Sequence, residues 1–266
     1  MTQAERRIYL IKELLAEQAG YSSVKVSTDP DEQKRLLRSL CNVRMPGYIR
    51  TRFLTVQNEY LREELAQKGV VEVADLTPVV GGLYLWQGDI TRLEVDAIVN
   101  AANSALLGCF CPCHGCIDNA VHSAAGLQLR NECNEIMRRQ GYPESNGRAK
   151  LTKGYNLPAK YVLHTVGPII QGQVTQRDRQ ELASCYRSCL DLAAAHGLES
   201  IAFCCISTGE FHFPNQEAAE IAVSTVTEFL RHSTSIQKVI FNVFKDIDAQ
   251  IYRTLLRPDQ TAETGA

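Results

Sequence analysis

The chain has 266 residues, of which 45% are hydrophobic and 22% are charged. This composition supports one sizeable core with a smaller attachment, and it is not the composition of a disordered chain. The formal net charge is -2, so the chain lacks the basic excess that is typical of general nucleic-acid binding, and we expect no nucleic-acid partner.

No run of about 18 consecutive apolar residues occurs, which argues against a membrane-spanning helix. Lys12, Glu13 and Glu17 interrupt the apolar stretch that follows Arg6 and Arg7, so the first residues do not have the pattern of a secretory signal. We therefore expect a cytoplasmic protein with no membrane partner.

The first segment, residues 1–74, is charged, and its apolar residues recur at helical spacing. It is predicted to be a helical amino-terminal extension with helices over residues 7–18, 29–43 and 53–65. The second of these has Pro30 in its first turn and ends before Met45-Pro46-Gly47.

Short apolar runs alternate with amphipathic segments after Gly69. Strands are predicted at residues 83–87, 97–101, 161–166, 201–206 and 239–243, and helices at residues 118–139, 178–196, 215–231 and 246–256. Strands rich in Val and Ile that alternate with helices predict an α/β layered fold with a mainly parallel sheet. This domain is assigned to residues 75–258, followed by a polar carboxyl-terminal tail at 259–266.

Ligands of open α/β sheets bind beyond the carboxyl ends of the strands. That rule selects three loops here, residues 88–91, 100–118 and 207–214. Each loop contains side chains that a simple connection between a strand and a helix does not require.

The second loop contains four cysteines within eight residues, Cys109, Cys111, Cys113 and Cys116, with His114 among them. Thiolates and an imidazole so close together suit zinc. Because no second Cys-x-x-Cys pair follows downstream, we favour three protein ligands and one open position over a structural four-ligand site or a metal-free redox cluster. The six scattered cysteines are predicted to be small core residues.

The other two loops have possible anion-binding and base-binding groups. Ser207-Thr208-Gly209 lies between a predicted strand and a helix, where backbone N–H groups can face an anion; the alternative is a plain turn. Asp89 could be an ordinary surface or N-cap carboxylate, or it could accept a hydrogen bond from an exocyclic amine such as that of adenine.

Five motifs together resemble a macrodomain over residues 74–256. They are Gly-Asp-Ile-Thr at 88–91, Val-Asn-Ala-Ala-Asn at 99–103, Ile-Asp-Asn-Ala-Val-His at 117–122, the segment 154–168 that ends in His-Thr-Val-Gly-Pro, and Ser-Thr-Gly at 207–209. Macrodomains have a three-layer α/β/α fold with a mainly parallel mixed sheet. They bind ADP-ribose, and several of them remove it from proteins.

Two departures narrow the resemblance. Cysteines replace the usual glycines before Asp118, and Glu210 and His212 replace the usual small or aromatic residues. Both features, and the helical extension, are similar to the zinc-dependent, sirtuin-linked branch of microbial protein-ADP-ribose hydrolases.

The resemblance implies a role for each candidate residue. Asp118 takes the place of the catalytic aspartate, Asn103 hydrogen-bonds the distal ribose and takes part in catalysis, and Ile117 contacts the substrate. The adenine and diphosphate contacts are assigned to Asp89, Ile90, Ser207, Thr208, Gly209, Glu210 and Phe211. One zinc ion per chain is assigned to Cys109, His114 and Cys116, with Cys113 as the substitute ligand.

The implied activity is zinc-dependent removal of mono-ADP-ribose from modified proteins, ester-linked to Asp or Glu, with release of ADP-ribose. The implied partner is a lipoyl-carrier protein that a sirtuin-like transferase modifies. The alternative is an ADP-ribose-binding reader module with a structural zinc loop. Two questions stay open: whether zinc activates water or positions the distal ribose, and whether His122 orients Asp118 or is a core histidine.

Overall fold

The computed structural model describes residues 1–232 and 235–257, so the predicted tail at 259–266 lies outside the described residues. The helices are α1 (Gln3–Ala16), α2 (Pro30–Val43), α3 (Thr51–Lys68), α4 (Ile117–Ala125), α5 (Leu127–Gln140), α6 (Gln176–Ala195), α7 (Asn215–Leu230) and α8 (Asp246–Leu255). The strands are β1 (Val71–Glu72), β2 (Pro78–Val80), β3 (Leu83–Gln87), β4 (Leu93–Glu94), β5 (Ala97–Ala101), β6 (Ala149–Lys153), β7 (Tyr161–Thr165), β8 (Ser200–Phe203) and β9 (Lys238–Val243).

Seven strands form one mixed sheet in the order β2-β3-β9-β8-β5-β7-β6. The five inner strands run parallel to one another, and the edge strands β2 and β6 pair antiparallel with their neighbours. Helices flank this sheet, so the predicted α/β/α architecture with a mainly parallel mixed sheet is confirmed. The inner strands place the carboxyl ends of β3, β5, β8 and β9 at one edge.

The main core lies on the inner strands and the helices that cover them. In β5, Ala97, Ile98 and Val99 are fully buried, as expected for a parallel strand with helices on both sides. Four of the six scattered cysteines are buried here, which confirms their prediction as small core residues: Cys133, Cys185, Cys189 and Cys204.

The three predicted amino-terminal helices are present, and they have a small core of their own. Leu10, Leu37 and Phe53 pack together, and Leu127 at the start of α5 joins them. The Asp29 side chain accepts the N–H groups of the first turn of α2, an N-cap that the sequence pattern predicts. The extension is thus packed on the α/β unit through α5.

The prediction of one continuous helix over residues 118–139 is wrong, because the structure has two helices there, α4 and α5. Gly126 has φ +96°, a backbone conformation that ends α4, and α5 begins at Leu127. The side chain of Gln57 in α3 accepts the Leu127 N–H at 3.1 Å, so a residue 70 positions away caps the second helix.

Two further differences concern the strands. β8 ends at Phe203, short of the predicted residue 206, and the polar edge strand β6 was not predicted. β6 reads Ala-Lys-Leu-Thr-Lys, and an edge strand exposed to solvent needs no apolar run. Among the described residues, no helix is both long and apolar enough to cross a membrane.

Replacing Gln57 with Ala tests the cap on α5. The variant leaves the buried Leu127 N–H without its acceptor, so we expect the free energy of unfolding to fall by roughly 1–3 kcal/mol. Urea unfolding measures this loss. Gln67→Ala is the control, since the exposed Gln67 side chain hydrogen-bonds to Glu63 on its own helix and its loss should cost less than about 0.5 kcal/mol. Equal losses in the two variants would contradict the capping role.

Candidate active site

A cleft of about 820 Å³ opens at the carboxyl ends of β3, β5, β8 and β9. Every candidate residue from the sequence lines it: Asp89, Ile90, Asn103, Cys109, His114, Cys116, Ile117, Asp118, Ser207, Thr208, Gly209, Glu210 and Phe211. Residues of three loops that are distant in sequence thus share one cavity, as the rule for parallel sheets predicts.

Asp118 is the buried carboxylate of the cleft, with 4% of its surface exposed. Its Oδ1 accepts a hydrogen bond from Asn100 Nδ2 at 2.8 Å, and its Oδ2 accepts one from Asn103 Nδ2 at 3.3 Å. Burial raises the pKa of Asp118 to about 6, against the Asn100 hydrogen bond and the Arg130 charge, which lower it. Both oxygens are therefore held by amides, and the group titrates near neutral pH.

Asn100 is the fourth of the five residues of β5, and no role was predicted for it. It is fully buried in a strand that is otherwise apolar. A lone amide in such a strand was the available signal, because a buried polar side chain needs a partner.

His122 lies one turn after Asp118 in α4. Its Nε2 is 3.5 Å from Asp118 Oδ1, but the arrangement does not meet hydrogen-bond geometry, and neither ring nitrogen has a partner among the described residues. Gly108 lies against the ring, where an added Cβ would be 2.8 Å from the His122 Cγ. Burial holds the pKa of His122 well below its usual value. The neutral ring thus supports the carboxylate and the loop by packing.

The cysteine-rich loop brings three donor groups together. The ligand atoms of Cys109, His114 and Cys116 all lie within 4.8 Å of one another. His114 Nδ1 is buried and has no hydrogen-bond partner among the described residues, whereas Nε2 lies 3.7 Å from Glu210 Oε1. Burial raises the pKa of the Cys116 thiol to about 12, and the neighbouring Cys109 also raises it. Two thiols and an orphan imidazole nitrogen fit a soft tetrahedral cation, which would supply the charge that stabilises the thiolates.

The other two cysteines of the loop lie outside this triad. The Cys113 thiol donates to the backbone oxygen of Arg35 at 3.3 Å, and Cys111 is exposed. All ten cysteines are free thiols. The geometry therefore supports the three-ligand assignment over a knot that includes Cys113.

A second group of possible ligands, His122, Cys133 and His164, lies in the core. His164 is fully buried; its Nδ1 is 3.2 Å from Asn100 Nδ2, and its Nε2 is 2.9 Å from Thr152 Oγ1. Since the Asn100 amide donates to Nδ1, the hydrogen-bond network assigns the proton to Nε2. Both ring nitrogens are occupied, so His164 belongs to a core network that holds Asn100.

The loop after β8 has the features of an anion site. Ser207 has φ +64°, and its buried Oγ has no hydrogen-bond partner among the described residues. The backbone N–H groups of Gly209, Glu210 and Phe211 also have no acceptor among the residues that the structure describes. Unpaired N–H groups in a turn that leads to the helix α7 suit a phosphate oxygen.

Asp89 also lines the cleft, and it is the N-cap of the short turn Ile90–Arg92. Its Oδ1 accepts from the N–H and the hydroxyl of Thr91, at 3.1 and 2.6 Å. Its Oδ2 is 3.9 Å from Lys68 Nζ, and the side chain is 36% exposed. One carboxylate oxygen is therefore committed to the turn, and the other is available to a ligand.

Two residues that line the cleft were not predicted from the sequence. Phe244, 77% exposed, stands directly after β9, and Arg38 belongs to the extension. The position after a parallel strand was a usable signal for Phe244, whereas nothing in the sequence linked Arg38 to the cleft.

Comparisons with known proteins identify relatives of this chain. The Macro domain family matches residues 99–222. A protein-ADP-ribose hydrolase of Treponema medium is 55% identical over 260 residues, which cover 96% of this chain and 100% of the relative. A protein-ADP-ribose hydrolase of Staphylococcus aureus strain Mu50 is 47% identical over 253 residues, which cover 94% and 95%. The crystal structure of a Trypanosoma brucei macrodomain in complex with ADP has a TM-score of 0.62 at 30% identity, covering 96% of each chain.

The fold is thus an α/β domain whose cleft lies at the carboxyl ends of the parallel strands. With relatives this similar over nearly its whole length, the chain belongs to the macrodomain family.

The core network around His164 generates a pH prediction. Burial lowers the pKa of His164 to about 3, below about 6.5 for an unfolded histidine. Between these two values the unfolded chain binds a proton that the folded chain does not, so stability falls as the pH falls. As the pH falls from about 7 to about 5, protonation of His164 in the unfolded chain should lower the free energy of unfolding by about 2 kcal/mol.

The variant His164→Gln keeps a donor and an acceptor but cannot titrate. We expect its free energy of unfolding, measured in urea at both pH values, to depend less steeply on pH than that of the parent. If the free energy of unfolding depends equally on pH in the two proteins, His164 is not a neutral core residue.

Proposed function

We propose that this macrodomain removes mono-ADP-ribose from modified proteins, with a zinc ion held by Cys109, His114 and Cys116. The curated relatives are hydrolases that act on ADP-ribosyl bonds, and the chain is an enzyme of that class. The observation that carries the finer proposal is the buried carboxylate of Asp118 beside the three donor groups in one cleft.

ADP-ribose would lie along the length of the cleft. Asp89 and the N–H of Ile90 would bind adenine, and the exposed ring of Phe244 offers a stacking surface for the base. The unpaired N–H groups of the loop over residues 207–211 would bind the diphosphate. The distal ribose would then reach Asn103 and Asp118, which line the same cavity.

Cleavage at the anomeric carbon of ribose develops oxocarbenium character, which a nearby carboxylate stabilises while a water molecule attacks. Asp118 is suited to accept a proton from that water, since its pKa is raised to about 6 and both oxygens are held by Asn100 and Asn103. When bound, zinc would supply a Lewis acid that either lowers the pKa of a water molecule or holds a ribose hydroxyl. Ile117 would form an apolar wall beside the reacting atoms.

An ester link to Asp or Glu of the target fits this arrangement. A departing carboxylate is stable as an anion, so its release does not need a dedicated general acid in the way that an alkoxide does. Asp118 is the buried carboxylate in the cleft of the donor triad, whereas the side chain of the neighbouring Glu210 is 68% exposed. One buried carboxylate therefore suffices for the proposed reaction.

We extend the proposal to the partner that the resemblance implies, a lipoyl-carrier protein modified by a sirtuin-like transferase.

A reader module that binds ADP-ribose without cleaving it is the second candidate function. Asp118 favours the enzyme, because a binding site gains nothing from a buried carboxylate whose ionisation is opposed by burial.

The metal content of the purified protein tests the ligand assignment. We expect about one zinc per chain in the parent and loss of most of it in His114→Ala and in Cys116→Ser, because each removes one of three ligands. Elemental mass spectrometry measures the content. Cys111→Ser is the control, since Cys111 is exposed and outside the triad, and it should retain the metal. Stoichiometric zinc in the first two variants would refute the assignment.

Binding and turnover are separated by two isosteric variants. Asp89→Asn keeps an oxygen for the Thr91 cap but presents an amide donor to the adenine amine, so the Kd for ADP-ribose should rise about tenfold. Asp118→Asn should leave this Kd within about threefold and lower the release of ADP-ribose from an aspartate- or glutamate-modified protein by at least about 100-fold.

Calorimetry gives the Kd, and chromatography gives the released ADP-ribose. If the parent binds ADP-ribose and releases none from the modified protein, the reader module is the correct function. An unchanged Kd in Asp89→Asn would remove Asp89 from the adenine site.

A further inference from the structure

We propose that helix α2 of the amino-terminal extension is part of the active-site scaffold, in which Arg38 and Asn42 are positioning residues for the metal-ligand loop. The loop is defined as residues 107–116. This inference rests on the proposed function, because it gives the extension the task of holding the zinc ligands in place.

The loop has little structure of its own. No helix or strand lies between β5 and α4, and within residues 107–116 the described backbone makes one internal hydrogen bond, from His114 N–H to Cys111 O at 3.2 Å. Gly108 and Cys113 have φ values of +81° and +54°. A left-handed conformation at a cysteine is strained, so outside contacts must stabilise it.

Arg38 of α2 provides the first of these contacts. Its Nη2 donates to the backbone oxygen of His114 at 3.1 Å and to Asn119 Oδ1 at 2.7 Å, and its Nε donates to Asn119 Oδ1 at 3.1 Å. Asn119 is fully buried, and its Nδ2 donates to the backbone oxygen of Cys111 at 3.0 Å. Arg38 therefore holds the ligand His114 directly, and it orients Asn119, which holds the preceding turn.

Asn42, one turn further along α2, provides the second contact. It is 1% exposed; its Oδ1 accepts the Cys113 N–H at 2.9 Å, and its Nδ2 donates to Ser123 Oγ at 3.0 Å. Asn42 Oδ1 thus binds the backbone of Cys113, the residue with the strained left-handed conformation. The Cys113 thiol donates to the backbone oxygen of Arg35 on the same helix. Helix α2 thus holds Cys113 away from the three ligands.

Arg130 of α5 connects the end of α2 to the start of the loop. Its Nε donates to the backbone oxygen of Leu107 at 2.7 Å, and its Nη1 donates to the oxygens of Cys41 and Arg44 at 2.9 and 2.6 Å. Its guanidinium lies 4.4 Å from the centre of the Phe110 ring. The loop is therefore tied to α2 at its beginning, its middle and its end.

These contacts have a specific consequence for metal affinity. The three donor groups meet only while residues 109–116 keep this path, so a loop released from α2 must be reordered when the metal binds. Loss of a residue that orients a ligand typically lowers metal affinity 10- to 100-fold. The adenine and diphosphate contacts come from loops of the sheet, so the affinity for free ADP-ribose does not depend on Asn42.

The test measures the zinc affinity of the full chain by competition with a chromogenic chelator, and the Co²⁺–thiolate absorption as a spectroscopic signature. Arg38→Ala and Asn42→Ala should bind zinc about 10- to 100-fold more weakly than the parent. Asn42→Asp keeps the acceptor for the Cys113 N–H and should recover an affinity within about threefold of the parent. The affinity of Asn42→Ala for ADP-ribose, measured by calorimetry, should match the parent.

Gln33→Ala is the matched control on the same helix. Gln33 is buried and bonded to Arg7 and to the oxygen of Ser27, and it does not contact the loop. It should lower the thermal midpoint and leave the zinc affinity and the Co²⁺ spectrum unchanged. Parent-like zinc affinity in Arg38→Ala and Asn42→Ala would overturn the inference, and so would an equal loss in Gln33→Ala. A parent that binds no zinc would instead refute the proposed metal site, and the positioning role with it.

Discussion

The hydrogen bond from Asn100 to Asp118 joins the middle of the sheet to the site where the chemistry is proposed. Asn100 lies in β5, whose neighbours on both sides are parallel strands, and Asp118 lies in the first turn of α4. This bond fixes the carboxylate, and with it the start of α4. Because Cys116 is the N-cap of that helix and accepts the Asn119 N–H, the position of one proposed metal ligand depends on the same interaction. The carboxylate and the triad therefore cannot move independently.

The site contains several groups that oppose folding. Burial disfavours the ionised form of Asp118, the ring nitrogens of His122 have no partner in the described part of the chain, and Ser207 has a left-handed backbone. Such features persist when the surrounding structure stabilises them, and they concentrate where function requires them. Here the buried strands of the sheet provide that support, since the polar groups stand at the strand ends, outside the main core.

Much of the architecture could be predicted from the sequence because it follows from local patterns. Val- and Ile-rich runs between amphipathic segments gave the parallel strands, and the rule for strand ends selected all three loops that form the cleft. The break at Gly126 could not be predicted, because the cap of α5 comes from Gln57, 70 residues away. The edge strand β6 was missed because its polar residues suit solvent.

The same limit applies to the extension. The sequence predicted its helices from their spacing and caps, but the contacts of Arg38 with Asn119 bridge 81 residues, and no pattern along the chain records them. What a helix touches is decided by the assembled fold. Its proposed place in the active site therefore follows from the structure alone.

In the proposed function the donor triad takes part in the reaction and does not merely stabilise the fold. The direct measurement is the rate of ADP-ribose release from an aspartate- or glutamate-modified protein, by enzyme stripped of metal and again after zinc is returned. The same stripped sample should melt cooperatively and still bind ADP-ribose. Release should be lost on stripping and restored by zinc. Full activity in verified zinc-free protein would contradict a role of the triad in the reaction.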